Sequence, residues 1–261
     1  MLNIIVCIKQ VPDTNEVKLD PVTGTLIREG VPSIINPDDK AGLEAALNLK
    51  DKHGAKVTVI SMGPQQADLA LREALAMGAD EAILVTDRAF GGADTWATSS
   101  TLAAAIKKID YDLIITGRQA IDGDTAQVGP QIAEHLGLAN ISYAEDIQVE
   151  GDTVVVHRQY EDRYHIIKAK MPCLITALTE MNKPRYMTPG GIFDAYREKK
   201  VTIWNRPDLD VLDSNIGLKG SPTRVFKSFT KAVKGKGTVV ALDTQESVDF
   251  LIEKLQEKFI L

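Results

Sequence analysis

The segment GRQAIDGDTAQVGP, residues 117–130, follows the apolar run YDLIIT (111–116) and leads into a helical pattern over Gln131–Leu136. A buried strand that turns through glycines into a helix aims unpaired backbone N–H groups and the positive helix end at one point, where a phosphate can be held. This unit belongs in a helix-covered parallel sheet, so the first expectation is a nucleotide-binding α/β protein.

The rest of the first half fits that expectation. Asn3–Lys9, Val57–Met62, Ala82–Thr86 and Tyr111–Thr116 are short, nearly all-apolar runs, as expected when both faces of a parallel sheet are covered. Between them Lys40–Lys52, Pro64–Met77 and Thr95–Lys108 carry apolar residues at helical spacing, which predicts right-handed crossovers. Glu16–Asp20 and Thr25–Glu29 flank the turn Pro21–Gly24 and predict a β-hairpin insertion within 14–30. After about residue 138 the pattern changes. Ser142–Glu150, Thr153–Tyr160, Tyr164–Lys170 and Cys173–Leu178 read as a small antiparallel addition. We place a first domain at 1–200 and a C-terminal arm at 201–261. The arm has isolated apolar residues (Leu212, Ile216, Val225, Phe226, Phe229) and a final amphipathic helix near Gln245–Phe259, and it is too sparse to form its own core. It is expected to pack on another subunit.

Composition removes several function classes. A net charge of −6 argues against a nucleic-acid partner, and no window approaches the ~18 apolar residues of a membrane span. The N-terminus has the wrong flanks for a signal peptide. Cys7 and Cys173 lie in strand-like runs without metal-ligand spacing, so no metal site and a reduced, cytoplasmic protein are expected.

There is no GxGxxG after the first strand and no GxxxxGK[ST], which disfavours the ordinary dinucleotide dehydrogenase and the P-loop NTPase. Three other segments fall at predicted carboxyl ends of strands, where open α/β sheets bind ligands: Cys7–Lys9, Ser61–Pro64 and the loop Gly91–Thr95. Asn36, Asp38 and Asp94 also suit simple helix caps, Met62 suits core filling, and Cys7 suits a small buried hydrophobe. In the 117–130 loop Asp122 and Asp124 would repel phosphate, so they are assigned to capping N–H groups or to ribose or adenine, and Pro130 to the first helical turn.

These residues carry a resemblance. VCIKQVPD, NPDD, SMGP, ALAMGAD, GRQAIDGDTAQVGP and MNKPRYMTP, in this order and across the whole chain, resemble the β (small) subunit of the electron transfer flavoproteins. DRAFGGADTWAT (87–98) and DGDTAQVGP (122–130) are most similar to the electron-bifurcating type of anaerobic bacteria. The resemblance implies a Rossmann-like adenine-nucleotide-binding fold and a heterodimer with a larger α subunit. It implies FAD in the small subunit, or AMP alone if the chain is of the non-bifurcating type. It carries the nucleotide contacts to Cys7, Asn36, Pro37, Asp38, Asp39, Met62, Gly63 and the loop Gly117, Arg118, Gln119, Ala120, Ile121, Asp122, Gly123, Asp124, Thr125, Ala126, Gln127 and Val128. Asp94, Thr95 and Thr98 are assigned nearer the ribityl chain or ring.

By the same resemblance the flavin takes hydride from NADH, and its electrons leave singly toward ferredoxin or flavodoxin and toward an acyl-CoA dehydrogenase or enoyl-CoA reductase. No residue is assigned as a general acid or base, and no autonomous activity is expected. Met181, with Asn182, Pro184, Arg185 and Tyr186, is assigned to docking the dehydrogenase, Met181 as an exposed apolar anchor. Two other readings stay open at this point: a scaffold that holds AMP, and a nucleotide-binding regulator of the universal stress protein kind.

Overall fold

The computed structural model describes residues 1–13, 32–224, 226, 235, 237 and 239–261. The expected hairpin at 14–30, Val225 and Phe229 lie outside the described residues. The chain divides into two compact units, Met1–Arg224 and Val225–Leu261.

The first unit is built on a nine-stranded, mostly parallel sheet. Its strands are β1 (Asn3–Cys7), β4 (Lys56–Met62), β5 (Glu81–Val85), β6 (Leu113–Gly117), β7 (Ala139–Glu150), β8 (Thr153–Gln159), β9 (Tyr164–Lys170), β10 (Cys173–Ala177) and β11 (Val201–Trp204); β2 (Gln10–Pro12) and β3 (Ser33–Ile35) form a separate antiparallel pair. The order is β11-β5-β4-β1-β6-β10-β7-β8-β9. Chain order therefore reverses beside β1, which pairs in parallel with β4 on one side and β6 on the other. That reversal opens a crevice at the carboxyl ends of the strands.

Among the described residues there are seven α-helices: α1 (Pro37–His53), α2 (Asp68–Met77), α3 (Thr95–Ile106), α4 (Val128–Leu136), α5 (Pro189–Arg197), α6 (Gly217–Gly220) and α7 (Thr244–Glu257). Alternation along the strands divides the core. Ile4, Val6, Val57, Val59 and Ile115 pack under Leu43 and Leu47 of α1 and Leu71 and Leu75 of α2. On the other face Ile5, Ile60, Ile83 and Ile114 meet Leu102 and Ile106 of α3 and Ile132 of α4. Each fully buried Ile or Leu contributes ~1.5–3 kcal/mol, so the strand positions at the crevice rest on a stiff base.

Several expectations change. Cys173–Ala177 is not part of an antiparallel addition: it lies between β6 and β7, parallel to both. Its five residues are all buried, the pattern of a central strand covered on two faces. The antiparallel part is β7-β8-β9, and it continues the main sheet because β7 pairs in parallel with β10 at its start and antiparallel with β8 at its end. The arm expected from residue 201 begins within the first unit: β11 pairs with β5, and Leu209 and Ile216 are buried in the core. Helix α2 starts later than expected, after a 3₁₀ turn at Gln65–Ala67. In the second unit α7 is capped by Asp243, whose carboxylate accepts from Glu246 N at 2.9 Å, and Val248, Leu251 and Ile252 are exposed.

Candidate functional site

A cleft of about 990 Å³ opens at the carboxyl ends of β1, β4, β5 and β6. Of the residues singled out in the sequence, Cys7, Asp39, Met62, Gly63, Asp94, Thr95, Thr98, Gly117, Arg118, Gln119, Ala120, Gly123, Thr125, Ala126, Gln127 and Val128 line it. Asn36, Pro37, Asp38, Ile121, Asp122 and Asp124 are not in its lining. Four of these act on the loop through their side chains.

The start of α1 works as a clamp. Asn36 stands at the N-cap position yet makes no cap bond. Its buried side chain instead donates to Gln119 O at 2.7 Å and accepts from Ile121 N at 3.0 Å, fixing both sides of Ala120. Asp39 accepts from Lys9 N at 2.8 Å and from Gly117 N at 2.9 Å, so one carboxylate ties the end of β1 to the end of β6. Asp38 accepts from Gln119 N at 3.3 Å and from both the N–H and hydroxyl of Thr179. Burial pushes the Asp39 carboxyl up to about 7, against the two N–H donors that favour its charge. Burial also raises the Cys7 thiol far above the ordinary range, with the Asp39 charge adding to it, which leaves Cys7 an inert wall residue.

The loop is shaped by its backbone. Asp124 and Ala126 adopt left-handed conformations, φ +49° and +52°. Asp124 is held by Gln119, whose Nε2 donates at 2.9 Å, and Asp122 pairs with Lys9 Nζ at 2.6 Å. Among the described residues neither acid caps a backbone N–H. Gly117 is obligatory, because a Cβ there would run into the Asp39 carboxylate and stand 2.7 Å from the Asp39 nitrogen. Helix α4 then begins with no side-chain cap, which leaves the N–H groups of its first turn open to a ligand, and Pro130 is its third residue.

The opposite lip is equally determined. Asp94 caps α3 through Ala97 N at 3.0 Å and also accepts from Thr223 N at 2.9 Å and Thr223 Oγ1 at 2.7 Å. Burial opposes its charge, but these donors outweigh it and hold the carboxyl below the usual carboxylate range. The two lips meet where Thr95 Oγ1 donates to Gln127 Oε1 at 2.8 Å. Asp94 is thus fully occupied within the protein.

Sequence reasoning did not single out Arg88, Thr116, Gly129 or Thr223, all of which line the cleft. Thr116 and Gly129 were findable as the residues that end the strand and start the helix around the loop. Thr223 lay in the arm that composition assigned to packing on another subunit.

The segment expected to dock a partner lies against α1, away from the cleft lining. Arg185 Nε and Nη2 lie 3.0 and 3.1 Å from the buried Glu44 carboxylate, and Nη2 also reaches Asp51 at 2.9 Å. Asn182 Nδ2 donates to Ala41 O at 2.9 Å. Met181 is half-buried and packs against the core, in contrast to the expected exposed anchor, whereas Tyr186 is 89% exposed. The cysteines are both buried and unpaired, with the Cys173 thiol pushed up to about 11 by burial. Among the described residues no helix is long and apolar enough to cross a membrane.

A switch-point cleft under a clamped loop defines a class of α/β proteins that take a small ligand at the strand ends. The model of the electron transfer flavoprotein domain matches residues 23–209. The chain is 61% identical to an electron transfer flavoprotein subunit beta of Clostridium acetobutylicum, over 98% of this chain and 99% of that one. It is 57% identical to the caffeyl-CoA reductase-Etf complex subunit CarD of Acetobacterium woodii, over the full length of both, and 47% identical, also over both full lengths, to the acryloyl-CoA reductase electron transfer subunit gamma of Anaerotignum propionicum. The chain belongs to the electron transfer flavoprotein family, as a chain of its β-subunit type.

Proposed function

We propose that this chain is the small subunit of a heterodimer that oxidises NADH and divides the electrons. One goes to ferredoxin or flavodoxin, and the other goes through an FAD of the larger subunit to an acyl-CoA dehydrogenase or enoyl-CoA reductase. The small subunit holds a complete FAD in this reading. The observation that carries it is the size and two-lipped form of the cleft: about 990 Å³, at the upper end for small-ligand sites, with a second lip at residues 91–98 facing the clamped loop. AMP would leave that second lip without a ligand to serve. The names of the relatives, which include subunits of caffeyl-CoA and acryloyl-CoA reductase complexes, point to the same kind of assembly.

A bound flavin supplies the exchange between two-electron hydride transfer and single-electron steps. The protein's part is placement. The open N–H groups of α4 and of Thr125 and Ala126 receive phosphate, and the clamp through Asn36, Asp38 and Asp39 keeps those donors in position. Gly63, Thr95 and Thr98 bound the space toward the ring. The arm, including the exposed apolar face of α7, packs on the larger subunit, and the segment 181–186 meets the dehydrogenase. The purified heterodimer is expected to contain two FAD and to be bleached by NADH. One FAD and one AMP per heterodimer, with no reaction with NADH, would establish the non-bifurcating alternative.

A further inference from the structure

Three basic side chains line the cleft, and they are not equivalent. Lys9 is paired with Asp122 at 2.6 Å, and Arg118 stands 3.5 Å from Asp38. Arg88 is exposed and makes no ion pair and no hydrogen bond to an acid among the described residues. The neighbouring Asp87 does not neutralise it, because that carboxylate accepts from Ala89 N at 2.9 Å and from Arg206 N at 3.1 Å. Those bonds hold the Asp87 carboxyl below its usual range, so it stays charged and turned to the backbone.

The turn that carries Arg88 is stiff. Phe90 is buried in the core, and Leu218 N donates to Gly91 O at 3.0 Å. A Cβ on Gly217 would strike the Ala89 carbonyl, so α6 lies directly against this turn. Four residues beyond Arg88, in the same cleft lining, the chain passes through Gly92 at φ +71°, and among the described residues the N–H groups of Gly92 and Ala93 have no acceptor. Consecutive free N–H groups at a left-handed glycine form an anion-binding concavity, and a guanidinium beside them adds charge and a planar donor fork.

We propose that Arg88, with the Gly92 and Ala93 N–H groups, is a second anion subsite of the cleft, for the diphosphate of a dinucleotide. The inference rests on the nucleotide-binding reading above but assigns Arg88, which that reading does not use, and gives the Gly92 and Ala93 N–H groups of the second lip a ligand group to hold. The diphosphate comes from one of two sources, the flavin held in the cleft or the NADH that reduces it.

The test is Arg88→Gln in the purified heterodimer, with Arg88→Lys beside it. Because Arg88 is exposed and unbonded, melting temperature should not move. Loss of one charge-assisted contact is expected to weaken diphosphate binding about tenfold or more. If NADH is the source, its dissociation constant, measured by direct titration, rises by that factor while flavin content holds. If the flavin is the source, flavin content falls and NADH binding holds. ADP titrated into flavin-stripped heterodimer gives a readout that does not depend on turnover, and its affinity should fall with the Gln variant and recover in part with Lys. Unchanged flavin content, NADH affinity and ADP affinity would overturn the subsite. A wild type that lacks small-subunit FAD and ignores NADH, yet binds ADP more tightly than the Gln variant, would instead overturn the proposed function and leave the subsite standing.

Discussion

The loop at 117–127 and the segment at 181–186 are both held by acidic residues of α1, but the grips differ. Asp38 and Asp39 grip backbone N–H groups of the loop, at Gly117 and Gln119, and Asp39 ties in Lys9 as well. Glu44 and Asp51 grip a side chain, the Arg185 guanidinium. A backbone grip fixes residues that line the cleft and suits a site that must place donors to within a fraction of an ångström. A guanidinium grip fixes a surface segment through a flexible stem and leaves neighbours such as Tyr186 exposed. The same helix thus serves a rigid cleft at its first turn and a presented edge along its length.

The comparison breaks most sharply at Gly117. If the loop depends on close backbone approach, Gly117→Ala should cost ~3 kcal/mol, because the new Cβ meets backbone at Asp39 as well as its carboxylate, and backbone cannot swing away. Urea unfolding of the heterodimer measures it, with nucleotide content falling in parallel. A loss below ~0.5 kcal/mol would mean that the start of α1 yields and the clamp is not rigid.

A pH-dependent effect comes from the charge of the clamp. The Asp39 carboxyl lies at about 7 in the fold against 3.8 for the free group. The folded state therefore holds its proton more tightly than the unfolded chain does. The contribution to stability is complete below pH 3.8 and is lost as pH rises to about 7, by about 1.4 kcal/mol per unit of displacement. Asp39→Asn removes this titration. Unfolding midpoints of wild type and variant between pH 4.5 and 8, in steps of ~0.5, should diverge on the alkaline side, the wild type falling relative to the variant. Parallel curves would show that the N–H groups of Lys9 and Gly117 outweigh burial and keep the carboxyl ionised throughout.

The grips on α1 also mark what was legible in the sequence. The runs that became β1, β4, β5 and β6 were readable because strands covered on both faces are nearly all apolar, and the loop was readable because its glycines and Pro130 punctuate a strand and a helix. Cys173–Ala177 obeyed the same rule and was read as a strand, but it was misplaced because it was grouped with its antiparallel neighbours in sequence. Four residues, VTIW, were too short to announce β11, and Gly190–Gly191 concealed α5, where Thr188 caps the helix by accepting from Gly191 N at 3.0 Å. The long-range partners of Asn36, Asp122 and Asp94 were out of reach, since these contacts span 83 to 129 residues of the chain. Composition could flag these side chains as polar and well placed; only the fold shows that they are consumed in holding the site.

The smallest expected effects separate presentation from packing in the second grip. Met181 is half-buried against the core and Tyr186 is almost fully exposed. Met181→Ala should therefore cost ~1–2 kcal/mol of stability, about half of what a fully buried methionine costs. Tyr186→Ala should stay within ~0.5 kcal/mol of wild type. If the segment is a docking edge, the order reverses in function: Tyr186→Ala raises the apparent KM for electron delivery to the dehydrogenase about tenfold or more, as loss of an aromatic anchor does. Met181→Ala then acts only in proportion to the unfolding it causes. Neither variant should alter NADH reduction of the heterodimer's own flavin, because neither residue lines the cleft. Melting curves and both assays on one preparation decide the matter. A docking defect confined to Met181→Ala would move the anchor back beneath the segment, and no defect in either variant would remove residues 181–186 from the docking surface.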